Sequence, residues 1–327
     1  MNRPSKFILC IMIAALFACN APSHQINPVQ MPARETKKPD PPLQQMHSST
    51  VQHTHIQKQS VDHQHGQNSY LVRTEGFACM GQKNSRDDTR ALALSNAKKN
   101  AVQNVVSKIS SETLVVNGEL KSDVVSAYAN GQLSVLETQG KWVRESSAGH
   151  SDECYQVSIS AELIPDYQTV ADPRPHLMNE PRAPLTVSLW TDKSSYVRGE
   201  FLNVHIKGNK GFYGMLIYTM ADGTQFQILP NPFRKDNYFE GGRVYTLPGE
   251  SDQYQMMVSE PVGEESIRLY ASETQLPLNQ IQSVARGPLS QVYDTRETMD
   301  RRMRGIVLIS NQPATDFVQA QVNLTTY

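Results

Sequence analysis

The sequence predicts an α+β protein, in which a small helix-on-sheet domain precedes an all-β, immunoglobulin-like sandwich and both follow a disordered N-terminal tether. Three patterns predict this arrangement. One segment has apolar residues at helical spacing between strand-like segments. Short apolar segments separated by turn residues fill the C-terminal half. A polar, proline-rich stretch with almost no large apolar side chain precedes both.

Residues 1–18 have the pattern of a secretory signal peptide. Arg3 and Lys6 precede an apolar run at 7–18, which is shorter than the about 20 residues that span a bilayer. The sequence LFAC at 16–19 resembles the lipobox of bacterial lipoproteins, although Phe17 departs from its usual small or hydroxyl residue. The resemblance implies that Cys19 is the first mature residue and carries lipid. The alternative is an ordinary signal peptide cleaved elsewhere.

The lipoprotein resemblance also implies a location. Asn20 rather than Asp follows the cysteine, which in that family implies anchoring in the outer membrane, on its periplasmic side. The membrane is therefore the first expected partner, contacted through the lipid.

Residues 19–70 predict a lipidated, disordered tether, because they contain many prolines and glutamines and little apolar surface to bury. As a flexible coil such a segment spans about 40 Å. Five of the six histidines in the tether are candidate metal ligands: His47, His53, His55, His63 and His65. Their irregular spacing favours a polar linker over a dedicated metal site, so we expect any metal binding to be weak.

Residues 71–165 predict the helix-on-sheet domain. A strand at 76–80 is followed by a helix that Asn84 or Ser85 caps. Apolar positions of that helix recur at helical spacing, at Leu94, Ala97, Ala101, Val105 and Ile109. Further strands are predicted at 125–128, 131–136, 141–143 and 155–163, and the last of these alternates as a half-buried strand does.

Cys79 and Cys154 remain once Cys10 is removed with the signal peptide and Cys19 is lipidated. Two thiols in an oxidising compartment favour one disulfide over a reduced pair, and they are too few for a typical zinc site.

The first domain resembles two related families in its small and apolar positions at 76–78, 89–97 and 155–161. One is the twenty-kilodalton outer-membrane lipoprotein family, and the other is the N-terminal domain of flagellar assembly protein T. The resemblance implies a structural module of the outer membrane, in some relatives part of rings around envelope machines. It implies no catalytic residue.

Residues 166–183 predict a proline-containing linker, and residues 184–327 predict the sandwich. Its motifs, TDKSSYVRGE at 191–200, DG at 222–223, LPNP at 229–232 and YTLP at 245–248, resemble a bacterial family of domains of unknown function. The glycines in these motifs permit positive φ at turns, so we interpret the motifs as turn and strand-end chemistry.

The sequence contains no Gly-x-x-x-x-Gly-Lys phosphate-binding loop, no Gly-x-Ser-x-Gly nucleophile motif and no His-Glu-x-x-His zinc motif, so we expect a non-enzyme without a cofactor. His205 alternates with apolar residues on a predicted strand, which favours a satisfied or solvent-facing side chain. The formal charge of −1 offers no basic excess for nucleic acid.

The leading hypothesis is a structural or assembly component that binds other envelope proteins. A flagellar or secretion-apparatus accessory is its specific version. One alternative is a binding module for a peptide, a glycan or peptidoglycan, which an exposed aromatic patch near 231–237 would favour. Another is metal binding through the tether histidines.

Overall fold

The computed structural model describes residues 9–10, 64–80, 84–112, 118–147, 150–168, 172–276, 281–286, 289–307 and 314–327. The helices are α1 (Arg86–Glu112), α2 (Gly118–Ala129), α3 (Arg174–Leu177) and α4 (Arg296–Val307). The first strands are β1 (Leu9–Cys10), β2 (Gln64–His65), β3 (Gln67–Cys79), β4 (Gln132–Ser147), β5 (His150–Ile164), β6 (Val187–Thr191), β7 (Ser195–Tyr196), β8 (Val204–Gly208) and β9 (Phe212–Thr219). The remaining strands are β10 (Gln225–Leu229), β11 (Tyr238–Phe239), β12 (Val244–Leu247), β13 (Met256–Met257), β14 (Glu264–Ser272), β15 (Ser283–Arg286), β16 (Leu289–Val292) and β17 (Ala314–Thr326).

One curled, mostly antiparallel sheet runs through the described part of the chain. Its 11 strands follow the order β15-β16-β10-β9-β14-β17-β3-β5-β4, with β11 and β7 attached beside β9 and β17. A second sheet has the order β12-β8-β6-β2, and β1 pairs with β13. The structure is therefore mostly β with few helices, as the excess of strand-like segments predicts. The separate helix-on-sheet and immunoglobulin-like domains stay predictions, and one sheet is common to both regions.

Helix α1 forms because its start is capped and one of its faces is apolar. The Ser85 hydroxyl accepts a hydrogen bond from the Asp88 backbone N–H at 3.1 Å, and Asp88 accepts one from the Ser85 N–H at 3.0 Å. The buried face carries small residues near the cap and larger ones later: Thr89, Ala93, Ala97, Ala101, Val105 and Ile109. The small residues let α1 lie close to β3, where a Cβ on Gly76 would approach the Ala93 carbonyl oxygen to 2.1 Å.

Three cores lie on the two faces of the large sheet. Helices α1 and α2 cover the β3–β5 region, where Val105, Val124 and Ile159 share one core. In the C-terminal half, the smaller sheet packs against the larger one. Ile206 of the smaller sheet and Leu269 of the larger sheet both belong to this second core. Met299 and Met303 of α4 pack with Leu71 of β3, Met215 of β9 and Phe317 of β17 in the third.

Strand β17 joins the two regions that the sequence predicts as separate domains. Residues 314–319 of β17 pair with residues 67–72 of β3, while the other edge of β17 pairs with β14 along nine registered positions. The described residues from 64 to 327 accordingly belong to one compact unit.

A buried charge cluster lies at this junction. The Lys210 ammonium is 2.6 Å from a carboxylate oxygen of Asp316, which lies on β17. It is also 2.5 Å from a carboxylate oxygen of Glu273, the residue that follows β14. Only 2% of the Asp316 side chain is exposed. Burial raises the pKa of Asp316 to about 6 despite the nearby Lys210. Burial alone would raise the pKa of Glu273, but the positive charge of Lys210 holds that pKa below its usual value.

The C-terminal helix adds a second connection between the same regions. Arg304 of α4 donates to Glu162 of β5 at 2.8 Å and to Gln319 of β17 at 3.2 Å. Its neighbours are also paired, Arg302 with Asp294 and Arg301 with Glu297. These three arginines of α4 are therefore salt-bridged.

The first strands begin earlier than the sequence predicts. Polar residues at 67–69 were expected in the tether, yet they are part of β3. The Asn68 side chain donates to the Leu185 carbonyl and to Thr186, and the Ser69 hydroxyl donates to Glu162 at 2.7 Å. These hydrogen bonds engage the Asn68 amide N–H groups and the Ser69 hydroxyl, whose burial would otherwise be unfavourable.

Two other local predictions also differ from the structure. The predicted strand at 125–128 is wrong, because these residues belong to α2, where Val124 and Tyr128 are buried at helical spacing. The predicted linker at 166–183 contains the short helix α3. Within the described residues, no helix is long and apolar enough to cross a membrane.

Replacing Lys210 should destabilise the fold strongly. A Lys210→Met variant leaves Asp316 and Glu273 together without their cation, and removing one partner of a buried ion pair costs about 3–5 kcal/mol. Urea unfolding at pH 7.5 measures this loss. The loss should shrink at pH 5, below the raised pKa of Asp316, because the protonated carboxyl no longer needs the ammonium.

Lys235→Met, at an exposed position, is the matched control and should change stability little. Equal stabilities of the two variants at pH 7.5 would contradict the role given to Lys210.

Candidate functional site

The predicted disulfide is confirmed. Cys79 at the end of β3 is bonded to Cys154 of β5, and the two residues are direct partners in the ladder between these strands. The bond therefore fixes the end of the β3–β5 pair that is farthest from β17.

The other sequence-predicted site residues are not brought together. Cys19 and the histidines His47, His53, His55 and His63 lie outside the described residues. His65 is described, and it lies in β2 with its Nδ1 3.1 Å from the Ser188 hydroxyl of β6. His65 is thus part of a sheet and not of a free tether. Among the described residues, no three His, Cys, Asp or Glu side chains are grouped to hold a metal ion.

A hydrogen-bonded network crosses the outer face of the smaller sheet. His205 of β8 is the ladder partner of Thr246 of β12, and its Nδ1 is 3.0 Å from the Thr246 hydroxyl. Its Nε2 is 2.6 Å from Asp192, which also accepts from Asn203 at 2.7 Å. The Trp190 ring stacks beside His205, with centroids 5.4 Å apart.

A groove of about 300 Å³ opens beside this network. Asn203 and Thr246 belong to both the network and the groove wall. The remaining lining residues are Phe201, Leu202, Pro248, Gly249, Glu250, Tyr254, Gln255 and Met256. The Phe201 side chain is 51% exposed, so the groove presents an aromatic surface as well as amide, hydroxyl and carboxylate groups.

The network holds oriented polar groups beside the groove. A carboxylate, an imidazole and a hydroxyl in this order are also the groups of a nucleophilic triad. Here the hydroxyl is on a direct ladder partner of the histidine, and both ring nitrogens are engaged, as they also are in a triad. Such contacts fix the groups on the groove wall, where a few oriented polar groups within a partly apolar groove suit recognition of a ligand.

The outer edge of β4 is a second candidate surface. In the large sheet β4 is the terminal strand, and it pairs with β5 from Gln132↔Ile164 to Ser147↔His150. Among the described residues, no strand lies on its other edge, and residues 137–141 are exposed. An unpaired edge presents backbone N–H and C=O groups to any strand that adds to the sheet.

One part of the chain matches a known protein family. Residues 195–275 match the model of a family described as a domain of unknown function (DUF4384). No curated protein and no solved structure matches the chain. The resemblance of the C-terminal half to such a family is therefore confirmed for these residues. The resemblance at 76–161 to outer-membrane lipoproteins stays a prediction.

The motif residues within the DUF4384 match build turns. Gly199 and Gly223 have φ of 87° and 84°, which only glycine adopts readily. Asn231 accepts hydrogen bonds from the backbone N–H groups of Phe233 and Arg234, at 2.8 and 2.9 Å. The same motifs border the groove at Thr246 and Pro248, although sequence reasoning missed it because its walls come from three separated segments.

Removing the disulfide should lower stability. A Cys79→Ala, Cys154→Ala variant, made in a Cys19→Ser background, should lose about 4 kcal/mol of unfolding free energy, because the bond joins residues 75 apart. Urea unfolding under oxidising and reducing conditions is the measurement. Reductant should destabilise the parent to the same level and leave the variant unchanged. Two free thiols in the native oxidised parent would contradict the bond.

Proposed function

We propose that this chain is a non-enzymatic lipoprotein, anchored in the outer membrane through Cys19, which binds other envelope proteins as a structural or assembly component. The anchor rests on the signal-peptide pattern and the lipobox resemblance. The tether then gives the folded part a reach of about 40 Å from the membrane surface.

The β4 edge is the observation that carries the binding part of the proposal. A terminal strand of 16 residues, joined to a continuous sheet, offers a partner an ordered template for β-augmentation. The register shift between Val135 and Glu137 interrupts the edge, and Lys141 places a charge on it. Natural edges use such features to avoid indiscriminate pairing, so they favour a selected partner over aggregation.

The specific version of the proposal is an accessory of a flagellar or secretion apparatus. It rests on the resemblance of the region from 76 to 161 to lipoprotein families that contribute to such machines. The proposal includes an immunoglobulin-like relationship for residues 184–327, which is supported by the packing of two sheets around one core.

Site-directed crosslinking in intact cells tests the proposal. A photoreactive amino acid replaces Thr138 or Arg144 on β4, and in the matched control it replaces the exposed Lys98 on α1. We expect the β4 positions to yield one defined set of envelope proteins that Lys98 does not yield. The products should disappear in a Cys19→Ser chain, which lacks the anchor.

Identical products from all three positions, or none from the β4 positions, would refute β4 as the binding edge. Products that persist unchanged in the Cys19→Ser chain would refute the need for the anchor.

The second candidate function is a binding module, and the groove beside Thr246 favours it. Its lining combines the exposed Phe201 ring with the oriented Asn203 and Thr246 side chains. Its charged lining residue is Glu250, so a neutral or cationic ligand suits it better than an anionic one.

A further inference from the structure

A second cleft lies on the face of β3, β5 and β4 that is opposite to α1. Its volume is about 350 Å³, and its lining residues are Glu75, Gln139, Gly140, Lys141, Gln156 and Ser158. The α1 side of the same strands holds the apolar core, with Ala78, Val157 and Ile159. Because successive side chains of a strand alternate between faces, the residues between these core positions are directed to the cleft side.

The strand register places the lining side chains on a regular grid. Glu75 and Gln139 are both ladder partners of Ser158, which lies between them on β5. Phe77 and Lys141 flank Gln156 in the next row. Neighbours within a row are about 5 Å apart and the two rows about 7 Å apart, so six side chains cover an area of sugar-ring dimensions.

The depression has a simple origin in side-chain size. Ser158 is short, and longer side chains surround it on both neighbouring strands and at Gln156. The Gln156 amide donates to a Glu75 carboxylate oxygen at 3.1 Å, and the Gln139 amide donates to Glu137 at 2.9 Å. These bonds orient amide and carboxylate groups at the rim before any ligand binds.

Phe77 is the unusual member of this polar grid. Its side chain is 42% exposed, although it lies in an ordered strand between Glu75 and the disulfide-bonded Cys79. An aromatic ring that is exposed beside polar groups can pack on a ligand with both apolar and polar faces.

The chemistry of the cleft fits a saccharide better than a peptide. Sugar hydroxyls both donate and accept hydrogen bonds, which matches a mixture of amides, a carboxylate, a hydroxyl and an ammonium. The C–H face of a sugar ring can pack on Phe77. A peptide, by contrast, binds a sheet mainly through unpaired backbone groups, and β5 pairs on both edges, with β3 and β4.

We infer that the outer face of β3, β5 and β4 is an oligosaccharide-binding site, in which Phe77 supports a sugar ring and Gln156, Gln139 and Glu75 bind its hydroxyls. This site is distinct from the β4 edge and from the groove beside Thr246. The test of this site is therefore independent of the test of protein binding at the β4 edge.

Calorimetric titration of the full chain carrying Cys19→Ser tests the inference. The probes are chitotetraose and maltotetraose, two uncharged oligosaccharides that differ in their N-acetyl groups. At least one should bind saturably. Phe77→Ala, Gln156→Ala and Gln139→Ala should each weaken that binding about tenfold, which is the effect of one lost ring contact or hydrogen bond.

The matched controls are Phe201→Ala and Gln255→Ala, which remove an aromatic and an amide from the other groove. They should leave the affinity unchanged. Thermal unfolding checks that each variant is folded, which the exposure of Phe77 and Gln139 leads us to expect. Absence of saturable binding for both probes would overturn the inference. So would binding that the Phe201 and Gln255 variants abolish and the Phe77 and Gln156 variants retain.

Discussion

The pairing of β17 with β3 is the interaction on which the rest of the structure depends. Strand β17 comes from the C-terminus and β3 from the beginning of the folded region, so their ladder closes the chain into one sheet. Asp316 of β17 places a carboxylate at that ladder, and Lys210 neutralises it from the C-terminal half. The buried pair is less a source of net stability than a constraint on register, since a displaced strand would leave the Asp316 carboxylate without its cation.

This constraint decides how the molecule can present its surfaces. A sheet that is continuous from β15 to β4 keeps the β4 edge and the outer face of β3, β5 and β4 in one fixed frame with the DUF4384 region. Two domains on a linker would have to order themselves when they bind a common partner, which weakens binding. Within the described residues, the two halves thus need no flexibility between them to contact a common partner. The predicted tether supplies the distance from the membrane.

Local sequence patterns predict individual helices and strands. They do not predict which strands pair when these are far apart in the sequence. The helical spacing of Ala97, Ala101 and Val105 predicts α1 correctly, and the two remaining cysteines predict their bond. Asn68 and Ser69 have the composition of a tether, yet their side chains donate hydrogen bonds to partners more than 90 positions away. The groove and the cleft were missed for the same reason: Thr246 and Phe201, or Gln139 and Glu75, become neighbours only through strand register.

The most direct test of a single cooperative body uses the two tryptophans of the chain, Trp142 on β4 and Trp190 on β6. Each lies in one of the two halves. Trp142→Phe and Trp190→Phe variants therefore report urea unfolding of opposite halves by fluorescence. If β17 joins the halves as described, both variants should unfold in single transitions whose midpoints and slopes coincide, once corrected for each substitution by circular dichroism. Two separated transitions, one for each tryptophan, would show independent domains and contradict the account.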